Sequence, residues 1–367
     1  MLGARTLYIM NEQLYRLRGY TDDFGGIPII IFCGDFRQFR PNKFTIVVML
    51  DEQVRAAGDP RLQQLLRRIR HGVQDQSDMD FLNDTCYQEG RRIPWESGIT
   101  VITPLNRNRW NLNLEAMLSF QRQRQGVLRI FMSEHKWKDG QPTEEEALML
   151  LSQGDDSAVP VPAIFMFVPG MPIAVNQNTH QGLKLVNGAR YTALDVVLDQ
   201  AFPGHRVNAD TILYFGPPAG IVLATETTRE CNFVGMAAGT ILLTPQMHDV
   251  SRRGLPCAAA FVYTDYKVQG KTLDRVALEL RGARTTNVDG QAVPSQCDAY
   301  GLYVQLSRCP SLDGIMLLSR ARERDIIGNR VPDNIVAAEN RLERLSEGTI
   351  RDAERWDWSS EEGQTVY

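Results

Sequence analysis

The chain has 367 residues, 43% of them hydrophobic and 23% charged, a composition that excludes disorder as the default and suits about two or three globular domains. A net charge of −4 excludes a globally basic surface, so any affinity for nucleic acid needs local basic grooves. No apolar run reaches the length of a membrane span, and the N-terminus lacks the basic-then-apolar pattern of a secretory signal.

From the N-terminus, Leu7, Ile9, Met10, Leu14 and Leu17 fall at near-helical spacing and predict a short helix stopped by Gly19. The run from Ile27 to Cys33 is continuous, apolar and rich in β-branched residues, the pattern of a strand buried on both faces of a parallel α/β sheet. Gly34-Asp35-Phe36-Arg37-Gln38 follows directly. Ligands bind beyond the carboxyl ends of strands in such sheets, so Asp35 and Gln38 stand where a functional acid or amide would serve; equally, Asp35 could cap a turn.

Helices are predicted from about Asp59 to Arg70 and around Ser77 to Tyr87. In the basic stretch Arg61 to His71, the recurrence of Leu62, Leu65, Leu66 and Ile69 reads as an amphipathic helix with a solvated charged face; Arg281 and Arg284 form the other local basic candidate. The apolar strand Ile99 to Ile102 then leads into a polar helix with Thr103 as N-cap, and Asn106, Arg109 and Asn113 share one face of it. A strand at Val127 to Met132 and an acidic helix ending near Gly154 come next. From about Ala163 to Pro256, short strands punctuated by Gly and Pro suggest a small β-barrel-like insert. Alternating α/β character then returns, and beyond Ile335 a charged amphipathic helix carries Leu342, Leu345 and Ile350. The six cysteines lie far apart with no CxxC pair and the histidines do not cluster near them, so no metal ligands are assigned and a reducing compartment is expected.

The stretch TDYKVQGKTLDRV, Thr264 to Val276, contains Gly270-Lys271-Thr272, the ending of a phosphate-binding loop. Such a loop also needs a glycine five positions before Gly270, so that successive N–H groups can curl around phosphates. Asp265 stands there, and its carboxylate would repel them. The stretch is therefore not a phosphate loop, and GxxxxGK[ST] occurs nowhere else in the chain.

Taken in order, four stretches resemble motifs of the PIF family of superfamily-one DNA helicases, over Met1 to about Arg320. GGIPIIIFCGDFRQFRP resembles the third motif, TPLNRNRWNLN the fourth, TDYKVQGKTLDRV the fifth and YVQLSRCPSLDGIMLL the sixth; LVNGAR resembles the entry to the family's SH3-like insert. Tyr266 and Val268 stand where the fifth motif has His and Ser, and Gln305 where the sixth has Ala. The resemblance implies that Gln38 senses the γ-phosphate and that Arg308 is an arginine finger stabilising charge in phosphoryl transfer. Arg109 joins these two as a catalytic candidate. Asp35, Gln38, Gln269, Gly270 and Arg308 are the implied nucleotide contacts, and Thr103, Asn106, Lys267 and Thr272 the implied contacts to single-stranded DNA.

The implied fold is α/β, with RecA-like (P-loop NTPase-type) parallel-sheet domains and an all-β SH3-like insert. Residues 1–97 would be the end of a first RecA-like domain, 98–186 and 257–330 a second, 187–256 the insert, and 331–367 a helix and polar tail. The implied function is ATP- and Mg²⁺-dependent 5′-to-3′ DNA unwinding in repair, recombination and telomere maintenance, on single-stranded DNA or DNA junctions, in nucleus or mitochondrion. Family members carry a phosphate loop and a magnesium-holding Asp-Glu pair upstream of the third motif, and MLGARTLYIMNEQLYRLRG resembles the segment just after that pair. The isolated chain is accordingly expected not to hydrolyse ATP. The alternative is a remnant that binds nucleic acid or a partner without catalysis.

Overall fold

The computed structural model describes residues 4–19, 22, 26, 47–49, 53–137, 140, 142–151, 154–155, 159–248, 251–288 and 291–355. The strand expected at 27–33, with Asp35 and Gln38, lies outside them. The chain divides into two compact units, residues 1–52 with 331–367, and residues 53–330.

In the first unit, helix Ala4–Arg18 ends at Gly19, whose φ of +70° only glycine adopts without strain. Helix Asp333–Glu354 buries Leu342 but leaves Ile350 exposed, so the expected apolar stripe is only partly covered. Two hydroxyls on that helix receive extended backbone: Thr349 Oγ1 accepts from Val47 N at 3.2 Å and Ser346 Oγ from Met49 N at 3.2 Å.

The second unit holds a four-stranded parallel sheet in the order Val262–Tyr263, Thr100–Ile102, Val276–Leu278, Ile315–Leu317. All four strands are buried throughout, which is why they are apolar without alternation. Helix Pro60–His71 packs Leu62, Leu65, Leu66 and Ile69 into the core beside the sheet. Its start is set by Asp59, whose side chain accepts from Arg61 N and Leu62 N, and by Pro60; its end is set by Gly72 in the left-handed region. The basic stretch of the sequence is therefore an amphipathic helix. Helix Gln76–Cys86 begins with a reciprocal cap between Asp75 and Asp78.

A five-stranded antiparallel sheet, in the order Thr240–Leu243, Gly220–Ala224, Arg190–Val197, Met171–Val175, Cys257–Ala259, encloses a second apolar core. Beside it a mixed sheet runs Ile164–Phe167, Leu128–Met132, Thr211–Tyr214, Gly204–Asn208. The β-rich character expected from about 163 to 256 is present, and its sheets also recruit Leu128–Met132 and Cys257–Ala259. A hairpin of Arg281–Val288 with Gln291–Gln296 was not anticipated, because its residues are polar and carry no strand-like apolar alternation.

Candidate nucleic-acid interface

The fourth- and fifth-motif stretches meet at the carboxyl ends of two neighbouring parallel strands, where open α/β sheets place their ligands. Thr103 leaves the strand Thr100–Ile102 and donates its N–H to Tyr263 O at 3.0 Å. It is fully buried, and its Oγ1 accepts from Leu105 N at 3.3 Å. The helix starts three residues later, at Asn106, with Leu105 at the cap position and no side-chain cap. The expected capping by Thr103 is thus replaced by a tight polar turn before the helix, and its hydroxyl faces protein.

Helix Asn106–Arg124 does carry Asn106, Arg109 and Asn113 on one face. Asn106 is exposed and accepts from Arg109 Nε at 3.2 Å. Asn113 is buried and replaces a missing ladder partner: its Oδ1 accepts from Phe261 N and Val262 N, and its Nδ2 donates to Val262 O. Helix and strand are therefore locked by an amide, which satisfies backbone groups that would be costly to leave unpaired.

Arg109 is 2% exposed and pairs with Asp155, also 2% exposed, at 3.1 Å; Arg109 further donates to the Asp155 main-chain carbonyl. Trp110 Nε1 donates to the same carbonyl at 3.0 Å. Lys267 Nζ, from the fifth-motif turn Asp265–Val268, approaches the other Asp155 oxygen at 3.4 Å and donates to Asn176 Oδ1 at 3.2 Å. One buried carboxylate thus holds a buried guanidinium and a half-exposed ammonium. Asp155 and Asn176 were not singled out in the sequence, where neither belongs to a motif.

The rest of the fifth-motif stretch explains its departures. Val268, in the place of the motif's Ser, is fully buried in the core beside the parallel sheet, whereas Tyr266, in the place of its His, is 73% exposed. Gln269 is half-buried, and Gly270 is exposed with a φ of +77°, the conformation that lets Lys271 N return to Val268 O at 3.0 Å. Lys271 Nζ lies 4.3 Å from the centre of the Tyr263 ring and donates to Gly188 O at 3.3 Å. Burial, with Arg190 and Lys267 near it, pulls the Lys271 ammonium down to about 8. Burial pushes the Asp265 carboxyl up to about 6. Thr272 is exposed, and its hydroxyl accepts from Arg55 Nε at 2.9 Å.

Arg308 is 3% exposed. Its Nε donates to Val304 O at 2.8 Å and its Nη2 to Ser307 Oγ at 2.6 Å; Nη1 lies 3.5 Å from both Val268 O and Lys271 O. Leu273 N returns a bond to Arg308 O at 2.9 Å. The guanidinium stitches the sixth-motif stretch to the fifth. Arg55 lies on its outer side, half-buried, donating to Ser307 O at 2.7 Å.

No protein-family profile and no curated protein sequence matches the chain. Among solved structures, the Pif1 helicase from Candida albicans is similar with a TM-score of 0.59 at 18% identity, over 94% of this chain and 74% of that one. Pif1 helicase from Bacteroides in complex with ADP-AlF3 and ssDNA gives 0.59 at 16% identity, over 94% and 73%. Bacteroides Pif1 bound to ssDNA gives 0.56 at 14% identity, over 94% and 73%. The fold is Pif1-like. At these identities the likeness fixes the architecture, a parallel RecA-like sheet with a β insert, and leaves the chemistry to the residues. Among the described residues no cluster of His, Cys, Asp and Glu could hold a metal, and no helix is long and apolar enough to cross a membrane.

Proposed function

We propose that this chain is the strand-binding portion of an ATP-dependent 5′-to-3′ DNA helicase of the PIF type. In this reading residues 98–186 and 257–330 form its second RecA-like domain, 187–256 contribute the insert, and 1–97 belong to a first domain, with Asp35 and Gln38 as its nucleotide contacts. The observation that carries it is that strands Thr100–Ile102 and Val262–Tyr263 run side by side into the stretches holding Asn106 and Lys267, which Arg109 and Asp155 link, inside a Pif1-like fold. Phosphates are met by the Lys267 ammonium and by the exposed Asn106 and Thr272 side chains, a set that follows a backbone without reading bases. Thr103 contributes by setting the turn.

ATP and Mg²⁺ fit the described residues less well. Among the described residues Arg308 donates to Ser307 and to backbone carbonyls, and no carboxylate cluster there offers metal ligands. This same observation favours a second reading, a module that binds single strands without turnover.

Fluorescence anisotropy with a labelled oligothymidine strand, over a KCl series, tests the first claim. Binding should weaken steeply with salt, and Lys267→Gln should lower the log–log slope by about one unit. Absence of binding at low salt would sink the proposal. Adding ATP and Mg²⁺ separates the two readings, since only a nucleotide-coupled protein changes its strand affinity in response.

A further inference from the structure

We infer that Asp155 is a positioning residue that holds Lys267 as a stored cation and gives it up to a strand phosphate by ion-pair exchange. The inference rests on the strand-binding reading above and specifies how that site is regulated.

The asymmetry of the Asp155 pair is the starting point. Arg109 is 3% exposed in its side chain and approaches Asp155 at 3.1 Å with a second bond to its carbonyl, whereas Lys267 is 26% exposed in its side chain and approaches at 3.4 Å. Burying a carboxylate is costly unless a cation pairs with it, and the Arg109 guanidinium supplies that partner from the same buried site. The second cation is therefore spare in charge terms: when Lys267 leaves, Asp155 remains compensated. Its flexible stem lets the ammonium swing, and a further acceptor, Asn176 Oδ1 at 3.2 Å, is neutral, so leaving it separates no second pair of charges.

The exchange has two consequences. With no strand bound, the carboxylate and Asn176 hold the ammonium against the protein, so it is not an open basic patch, in keeping with a chain of net charge −4. On binding, a phosphate oxygen takes the place of Asp155, and the Lys267–Asp155 attraction subtracts from affinity. Asp155 thus tunes how tightly a strand is held, without touching it.

The test is the same KCl series with wild type, Asp155→Asn, Asn176→Ala, Lys267→Gln and the Asp155→Asn/Lys267→Gln pair, each checked by circular dichroism and used below its melting temperature. Asp155→Asn should bind the strand about two- to fivefold more tightly, the worth of one half-exposed ion pair, with an unchanged salt slope. The paired variant should show the slope of Lys267→Gln, about one unit lower, and none of the gain. Asn176→Ala loosens the same ammonium and leaves Arg109 paired, so it should tighten binding by about twofold even if Asp155→Asn fails to fold. Weaker or equal binding in a folded Asp155→Asn, or weaker binding in Asn176→Ala, overturns the exchange while wild-type binding preserves the strand-binding reading. A wild type that binds no strand defeats both.

Discussion

The five-stranded antiparallel sheet buries Ile173, Val175, Tyr191, Ile221, Leu223 and Ile241 in a contiguous apolar cluster, while the segments packed around the parallel sheet bury Arg109, Asp155, Asp265, Gln305 and Arg308. Both lie in one compact unit. Apolar burial, worth about 25 cal/mol per Å², is reason enough for the residue types of the first region. The second region is different, because buried ions at best break even against well-packed hydrophobes of similar size. Charge concentrated there marks a part of the molecule shaped by something other than stability, and that part holds the stretches proposed above to bind a strand.

The sharpest way to break this contrast is to remove one partner from each region. Asp155→Ala leaves Arg109 buried without a counter-ion and should cost about 3–5 kcal/mol, read as a fall in the urea midpoint. Leu223→Ala, at a fully buried site in the antiparallel sheet, should cost about 3 kcal/mol through lost transfer energy and a cavity. The two separate in binding: at temperatures where both are folded, Leu223→Ala should leave the salt slope for oligothymidine at the wild-type value. A changed slope there would mean that the apolar region shapes the interface directly.

The two regions were unequally legible in the sequence. Helix Pro60–His71 and strand Thr100–Ile102 were readable because their signals are local: a cap, a period, an apolar run. The shared face of Asn106, Arg109 and Asn113 was readable for the same reason. The partners of that face were not. Asp155 lies 46 positions from Arg109 and 112 from Lys267, and an isolated acid after a helix carries no pattern that announces a pairing across such distances. Thr103 shows the converse failure, where a good local cap signal lost to burial beneath the turn. Arg55, which reaches both Thr272 and Ser307, belongs to no motif and could be found only in three dimensions. The fifth and sixth stretches, which the resemblance singled out in the sequence, pack against each other through the buried Arg308, a contact that no local pattern announces.

A smaller and opposite effect is expected at Asp265. Burial raises its pKa from 3.8 to about 6, so the folded state holds this proton more tightly than the unfolded chain does. Stability therefore falls as pH rises through that window, and the loss is fully present above it. Asp265→Asn keeps an acceptor for Tyr266 N, now 2.9 Å from the carboxylate, and abolishes the charge. It should stabilise the protein by about 2 kcal/mol at pH 8 and by only about 0.5 kcal/mol near pH 4, measured as paired urea titrations. A gain of equal size at both pH values would assign the effect to packing instead.

The smallest effect, and the one that tests the contrast most directly, is at Gln305. This side chain is fully buried in the sixth-motif helix, and neither its Oε1 nor its Nε2 has a hydrogen-bond partner among the described residues. The resembling motif has Ala at this position. An unsatisfied buried amide costs about 1–3 kcal/mol, while a flexible apolar side chain of similar length would fill the same space without that cost. Gln305→Met should accordingly raise stability by about 1 kcal/mol, with no change in the salt slope for single strands. If the substitution instead destabilises the fold or alters strand affinity, the amide has a partner that binds there in the working protein.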